Sequence, residues 1–252
     1  MAELAVKTAL VTGGGSGVGA VMARMLAAAG VKVAVSGRRA DVLAEVASHE
    51  NITSITADVT DEASVRAMYA TMIETLGAPD LVIANAGMAE SAPISKTSVG
   101  LWQRTMDVNL TGTFLTFREG LAVMDKSKPG RLISIASTAG LKGYAYVTAY
   151  CAAKHGVVGL VKGMAAELAN SAITVNAVCP GFMETPMLEK SVENIVAKTG
   201  MSRDDARASL AKINPQNRFI QPDEVANTVM WLCGANAASV TGQTISVSGG
   251  EI

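Results

Sequence analysis

Seven short, mostly apolar runs punctuate the chain, at 8–11, 31–36, 52–56, 81–84, 132–136, 173–178 and 244–247. Most are apolar throughout rather than alternating with polar residues, the pattern of strands covered on both faces. Between them lie longer segments, at 18–29, 40–48, 61–76, roughly 99–126, 149–170 and 223–233, where apolar residues recur with a helical period. Strand and helix in succession predict an α/β fold, with a parallel sheet and helices on both of its faces. No linker or internal repeat interrupts the series, so residues 1–252 are expected to form one catalytic domain. The one long irregular stretch, 180–215, is rich in Met, Glu, Lys and Ser and is expected to hold short helices. A connection of that length is often a lid over a site, and 182–215 is expected to be one. A loosely packed surface insertion is the other reading.

Composition narrows the class. The 252 residues suffice for a large core, and the 4% of aromatics suits close packing of helices on a sheet. A formal net charge of -1, without a polybasic run, gives no nucleic-acid footprint. Cys151, Cys179 and Cys233 sit in apolar company at no metal-ligand spacing and are expected to be buried free thiols. No apolar run reaches the ~20 residues of a membrane span, and the N-terminus lacks a charged start and cleavage site. A cytoplasmic protein without a membrane partner is the expectation. His49 and His155 are distant from each other, so no metal site is expected. His49 reads as a helix-end residue and His155 as a packing or interface residue.

Two clusters carry chemistry. After the first run, Thr12-Gly13-Gly14-Gly15-Ser16-Gly17-Val18-Gly19 places five glycines in eight residues. Glycines let the backbone turn tightly and approach a pyrophosphate, and N–H groups at a helix start favour an anion. Residues 13 and 15–19 are therefore expected to cradle a dinucleotide. The residue after the second strand distinguishes NAD from NADP, since NAD sites usually carry a carboxylate there. Here Val35-Ser36-Gly37-Arg38-Arg39 has none, and guanidinium groups match a phosphate. NADP(H) is thus favoured over NAD(H), with Ser36, Arg38 and Arg39 near the 2′-phosphate. If the two arginines are only a solvated helix-entry pair, NAD binds instead.

The second cluster is Tyr150 and Lys154, four residues apart, with Ser137 thirteen residues before the tyrosine. Four residues is about one helical turn, so phenol and ammonium share a face. A lysine beside a phenol is expected to lower its pKa from about 10 and make it a usable proton donor.

Together these motifs resemble the short-chain dehydrogenase/reductase family across nearly the whole chain. The resemblance implies a single-domain Rossmann fold with seven parallel strands in the order 3-2-1-4-5-6-7. It makes Asn109, Ser137, Tyr150 and Lys154 a catalytic tetrad, with Tyr150 and Lys154 also against the cofactor. Asp58 and Val59 resemble the adenine-contacting pair, and Asn85-Ala86-Gly87 the motif after the fourth strand, with Ala84 replacing its first Asn. Pro180, Gly181 and Thr185 resemble the segment beside the nicotinamide. Thr241-Gly242-Gln243 and Ser248-Gly249-Gly250 resemble the closing motif, with Ser248 where Asp is usual. By the same resemblance Tyr150 exchanges a proton with the carbonyl oxygen, Lys154 holds ribose hydroxyls, Ser137 bonds the substrate oxygen and Asn109 anchors a water. A homotetramer built on segments 99–126, 149–170 and the last strand is implied as well.

The stretches 154–160 and 173–186 are most similar to aromatic-polyketide and 3-oxoacyl-carrier-protein ketoreductases. Fatty-acid reductases tend to place an arginine before the sixth strand, whereas this chain has Asn170-Ser171-Ala172. Lys126, Lys128 and Arg131 remain a candidate basic spot, and a CoA thioester or small ketone is equally compatible. The expected pocket walls at the carboxyl ends of the strands are Met88, Thr138, Leu141, Tyr144, Phe182, Met183 and Met187, with Ser137 and Tyr150 at the reacting group. The leading expectation is NADPH-dependent reduction of a 3-oxoacyl thioester or small hydrophobic ketone. The rivals are an NAD-dependent secondary-alcohol or 3-hydroxyacyl dehydrogenase and a nucleotide-sensing protein without turnover.

Overall fold

The computed structural model describes residues 4–252. Its seven strands are β1 Thr8–Thr12, β2 Lys32–Gly37, β3 Ile52–Thr56, β4 Leu81–Ala84, β5 Gly130–Ile135, β6 Ile173–Pro180 and β7 Thr244–Val247. They form one sheet in the order β3-β2-β1-β4-β5-β6-β7, and every neighbouring pair is parallel. The helices are α1 Gly17–Ala28, α2 Ala40–Ala47, α3 Glu62–Leu76, α4 Val99–Met106, α5 Gly112–Val123, α6 Thr148–Glu167, α7 Pro186–Thr199, α8 Arg203–Ala211 and α9 Pro222–Leu232.

Both faces of the sheet are covered, which is why the strand runs carry no polar alternation. Ala9, Val11, Val33, Val35, Leu81 and Ile83 face α1, α2 and α9 in one core layer. Their sequence neighbours Leu10, Ala34, Val82 and Ala84 face α3, α5 and α6 in the other. Helix starts follow local chemistry. Asp61 accepts from Ala63 N at 2.9 Å ahead of α3, and Glu224 Oε2 accepts from Gln221 N at 2.8 Å ahead of α9.

Two features differ from the sequence reading. The segment 99–126 is not one helix. A π-helical turn, Asp107–Thr111, separates α4 from α5, and α5 ends at Val123. The π turn keeps apolar residues on the inner face, so the pattern looks continuous while an extra residue enters the turn. Beyond α5, Asp125 Oδ1 takes the N–H and hydroxyl of Ser127 at 3.0 and 2.7 Å, a local turn that competes with helix. His49 lies just past the end of α2, at the helix end expected of it, and His155 is exposed on α6, its Nδ1 2.9 Å from Cys151 O.

The second correction concerns Arg131, which is fully buried in β5 and offers no basic spot. Its guanidinium donates to Leu232 O at 2.9 Å, Gly130 O at 3.0 Å and Gly234 O at 3.3 Å. It thereby closes the C-terminal end of α9, where carbonyls lack helical partners and a cation suits the dipole. The three cysteines are free and buried as expected, and no described helix is long and apolar enough to cross a membrane. Replacing Arg131 with Ala should remove the side-chain donor from Leu232 O beside a cavity, while Gly234 O keeps its bond from Ala237 N. Urea unfolding should then show a loss of about 3 kcal/mol.

Candidate active site

The strand order reverses between β1 and β4, so the chains leaving these two strands diverge and open a crevice. Side chains lock the two ends together there. Thr12 Oγ1 accepts from Asn85 N at 3.1 Å and Ala86 N at 3.2 Å. Asn85 Nδ2 donates to Thr12 O at 2.9 Å and Gly13 O at 3.1 Å. Gly13 has φ 64°, a left-handed conformation that favours glycine. A Cβ on Gly19 would stand 2.4 Å from Gly13 O and 2.5 Å from Asn85 Nδ2, so the first turn of α1 can rest on the glycine loop only without a side chain.

Two depressions share Gly13, Ser16, Ala86 and Gly87 and run together as one groove. At its middle α1 begins with no side-chain cap and no acidic residue in its first turn. Its N–H groups are left to an anion. The bare backbone floor and the uncapped helix end fit the pyrophosphate of a dinucleotide.

At one end the groove is lined by Gly15, Arg38, Arg39, Asp58 and Val59, together with Val108 from the π turn. Burial pushes the Asp58 carboxyl up, but hydrogen bonds from Thr60 and the charge of Arg38 leave it below its usual range. Arg38 Nη1 lies 3.8 Å from Asp58 Oδ2. Ser36 is not part of this lining: its side chain is fully buried, and its hydroxyl has no partner. It occupies β2 itself, and the chain reaches the groove only at Gly37.

At the other end lie Ser137, Tyr150 and Lys154. Ser137 follows β5 and its Oγ accepts from Ala139 N at 3.1 Å. Tyr150 and Lys154 share one face of α6, with Lys154 Nζ 5.6 Å from the centre of the Tyr150 ring. Lys154 donates to Ile135 O at 2.8 Å. The expected lowering of the phenol pKa is absent. Burial pushes Tyr150 up to about 12, the Ser137 hydroxyl pulls it partly back, and the thiols of Cys151 and Cys179 add to the rise. The lysine pays for burial instead, falling to about 8. The pair thus presents a protonated phenol beside an ammonium that can lose its proton in a moderately alkaline range.

Asn109 is buried behind this end. Its Nδ2 donates to Met88 O and Thr105 O, each at 2.9 Å, and its Oδ1 accepts from Met88 N at 3.2 Å. A Cβ on Gly87 would meet Asn109 Oδ1 at 3.0 Å and Lys154 Nζ at 3.9 Å, so the amide reaches the lysine's side of the loop after β4.

The inner cavity has a volume of about 310 Å³. Of the expected walls it includes Thr138, Tyr144, Phe182, Met183 and Met187, with Pro180, Gly181 and Thr185 beside them. Met88 and Leu141 stand outside its lining, where Ala89 and Ala139 take their places. Val147, Leu188 and Ser191 were missed, the last two because no strand end announces residues carried in by a helix of the irregular stretch. No described group of three or more His, Cys, Asp or Glu residues is placed to hold a metal.

A family model described as short chain dehydrogenase matches residues 7–195. The granaticin polyketide synthase putative ketoacyl reductase 1 of Streptomyces violaceoruber is 38% identical over 249 residues, covering 96% of this chain and 92% of that protein. The D-beta-hydroxybutyrate dehydrogenase of Rhizobium meliloti (strain 1021) is 36% identical over 252 residues, covering 97% and 98%. A crystal structure of an actinorhodin polyketide ketoreductase variant with NADPH superposes with a TM-score of 0.92 at 35% identity, covering 100% of this chain and 99% of that one.

The lowered lysine has a consequence for stability. Between about 8 and the ordinary 10.5, the unfolded chain still holds a proton that folded Lys154 has released. Rising pH therefore stabilises the fold across that window. Urea unfolding from pH 7.5 to 10.5 should show wild type gaining stability relative to Lys154→Met as pH rises; a flat difference would contradict the shift.

Proposed function

The chain belongs to the short-chain dehydrogenase family, a family of nicotinamide-dependent oxidoreductases, and we propose that it is an NADPH-dependent ketoreductase acting on 3-oxoacyl thioesters or small hydrophobic ketones. The observation that carries this reading is the meeting of Ser137, Tyr150 and Lys154 at an apolar cavity continuous with the glycine groove. Lys154 is the one charged residue in the cavity lining, which favours a neutral carbonyl compound over a sugar phosphate or a free acid.

In this reading Gly13, Gly15, Ser16, Gly17, Val18 and Gly19 hold the pyrophosphate, and Asp58 and Val59 flank the adenine. Asn85, Ala86 and Gly87 bound the groove opposite, and Pro180, Gly181 and Thr185 line the nicotinamide end. The nicotinamide, when bound, supplies the hydride. Ser137 donates to the carbonyl oxygen, where negative charge develops, and Tyr150 delivers its proton to the same oxygen. A phenol raised by burial stays protonated at physiological pH and so has a proton to deliver as negative charge builds on the carbonyl oxygen. Lys154 holds ribose hydroxyls from within the cavity wall. Asn109 is a positioning residue: both its amide hydrogens are committed to backbone, so it fixes the loop after β4 beside the lysine.

Residues 182–215 serve as the lid. The helix α7 brings Met187, Leu188 and Ser191 to the cavity, and Arg207 on α8 braces it through Glu184 at 2.7 Å and through Glu189. Further along α7, Asn194 donates to Ser91 in the loop after β4, tying the two segments together. Exposed Trp102 on α4 and Phe114 on α5 support a homotetramer assembled through these helices.

A second reading, NAD-dependent oxidation of a 3-hydroxy acid, draws on the Rhizobium relative's name and on Asp58, whose carboxylate lies 3.8 Å from Arg38 and offsets its charge at this end of the groove. Cofactor kinetics separate the two. Arg38→Gln should raise KM for NADPH by about ten- to a hundredfold and barely change that for NADH. A wild-type preference for NADH would reverse the cofactor assignment.

Tyr150→Phe should lower kcat on a panel of 3-oxoacyl thioesters and simple ketones by about 10²- to 10⁴-fold while NADPH affinity stays within a few-fold. Undiminished turnover would remove Tyr150 from the proton transfer.

A further inference from the structure

Behind the cavity wall lies a carboxylate that neither the glycine groove nor the Ser137–Tyr150–Lys154 cluster uses. Glu251 follows β7, and its side chain is only 2% exposed. Its Oε1 accepts from the hydroxyl of Tyr144 and from Lys142 Nζ at 2.9 Å. Its Oε2 is buried without a partner and lies against Gly181, where a Cβ would come within 3.0 Å. Tyr144, Thr138 and Gly181 all line the cavity. The carboxylate therefore stands one side chain away from the substrate space.

The hydrogens can be assigned. Tyr144 Oη also lies 2.6 Å from Thr138 Oγ1. A phenol has one proton and a carboxylate only accepts, so Tyr144 donates to Glu251 and Thr138 donates to Tyr144. Burial and the neighbouring carboxylate both push the Tyr144 phenol well above its ordinary value, which keeps that proton in place. Tyr144 has no proton left for a substrate, and Thr138 turns its own away. The ring is held by a contact with Phe182 at 6.1 Å between centres and by Lys142 Nζ 5.0 Å over its face.

The charge arrangement is the informative part. Lys142 is 39% exposed and stands outside the cavity lining, with its Nζ 5.0 Å over the pocket-lining Tyr144 ring, so only that ring separates its charge from the cavity. Glu251 cancels it from the inner side. Lys154, the charged residue of the lining, gives one proton to Ile135 O and, in the proposed reading, the others to ribose hydroxyls at the far side of the cavity from Lys142. A substrate carboxylate seated beside Tyr144 would meet a paired cation and a buried negative end behind the wall, while a neutral ester or thioester there would lose nothing.

We propose that Glu251 is a specificity-determining positioning residue: by fixing Tyr144 and neutralising Lys142, it makes the pocket reject free 3-oxo acids and accept their neutral esters and thioesters. This rests on the ketoreductase reading for its substrate class, and its test separates the two.

Two measurements on folded holoenzyme decide it. The first is calorimetric binding of hexanoate, an unreactive aliphatic carboxylate, in the presence of NADP. Glu251→Gln should bind it about tenfold more tightly than wild type, because Lys142 is then unpaired. Glu251→Asp, which keeps the charge, should stay near wild type, and Lys142→Gln/Glu251→Gln should lose the gain. The second is the ratio of kcat/KM for acetoacetate to that for ethyl acetoacetate, which should rise by about the same factor in Glu251→Gln and fall back in the double variant. An unchanged hexanoate affinity in cooperatively melting Glu251→Gln, or a gain that survives in the double variant, overturns the proposal. If wild type reduces neither compound, the ketoreductase reading falls while the hexanoate measurement still decides the role of Glu251.

Discussion

The cross-brace between Asn85 and Thr12–Gly13 is the contact on which the groove depends. Connections that leave neighbouring parallel strands for opposite faces of a sheet open a gap, and nothing in the sheet's own hydrogen bonding closes it. Here one amide and one hydroxyl tie the two exits with four bonds between 2.9 and 3.2 Å. The brace sets how far apart the glycine loop and the loop after β4 stand. It also explains why Gly19 has no room for a side chain, since the carbonyl and the amide that a Cβ would strike are members of it. Helix α1 is thus held with its open end on the groove.

Much of this was legible in the sequence because it rests on local rules. Apolar runs without alternation gave the two-faced parallel sheet, and glycines at the first strand exit gave the bare-backbone turn on which α1 begins. The spacing of Tyr150 and Lys154 gave their shared face. What stayed hidden depends on tertiary placement. The π turn leaves the apolar pattern intact, so 99–126 read as one helix. Arg131 reads as a surface cation, since a sequence does not show the three carbonyls it meets in the interior. Ser36 looked like a phosphate ligand because it precedes Arg38, but strand alternation turns its side chain into the core. Leu188 and Ser191 enter the cavity from α7, at the distance of a fold rather than of a motif.

The site also shows which electrostatic effect wins when two compete. A cation near a phenol favours phenolate, and burial favours phenol. Tyr150 is governed by burial, with the Ser137 hydroxyl as the opposing influence, and the lysine carries the penalty in its own lowered value. Desolvation of both groups follows from the apolar cavity that surrounds them, so the lining of the cavity also sets the proton inventory. The ion pairs around α7 and α8 are of another kind. They lie nearer the surface, where salt screens them, and they brace a segment whose own apolar cluster is small, comprising Leu188, Val192, Ala206 and Phe219.

The π turn imposes a constraint of its own on this stretch of chain. Asn109 faces Met88 and Thr105 because one extra residue is accommodated between α4 and α5. Helical positions advance by about 100° per residue, so losing one residue from 107–111 would wind the two helices into a single rod and swing either Asn109 or the packed face of α5 out of place. Substitutions at many exposed positions on either side can be absorbed, but a change in residue count cannot. In this part of the molecule, the number of residues matters along with the identity of Asn109.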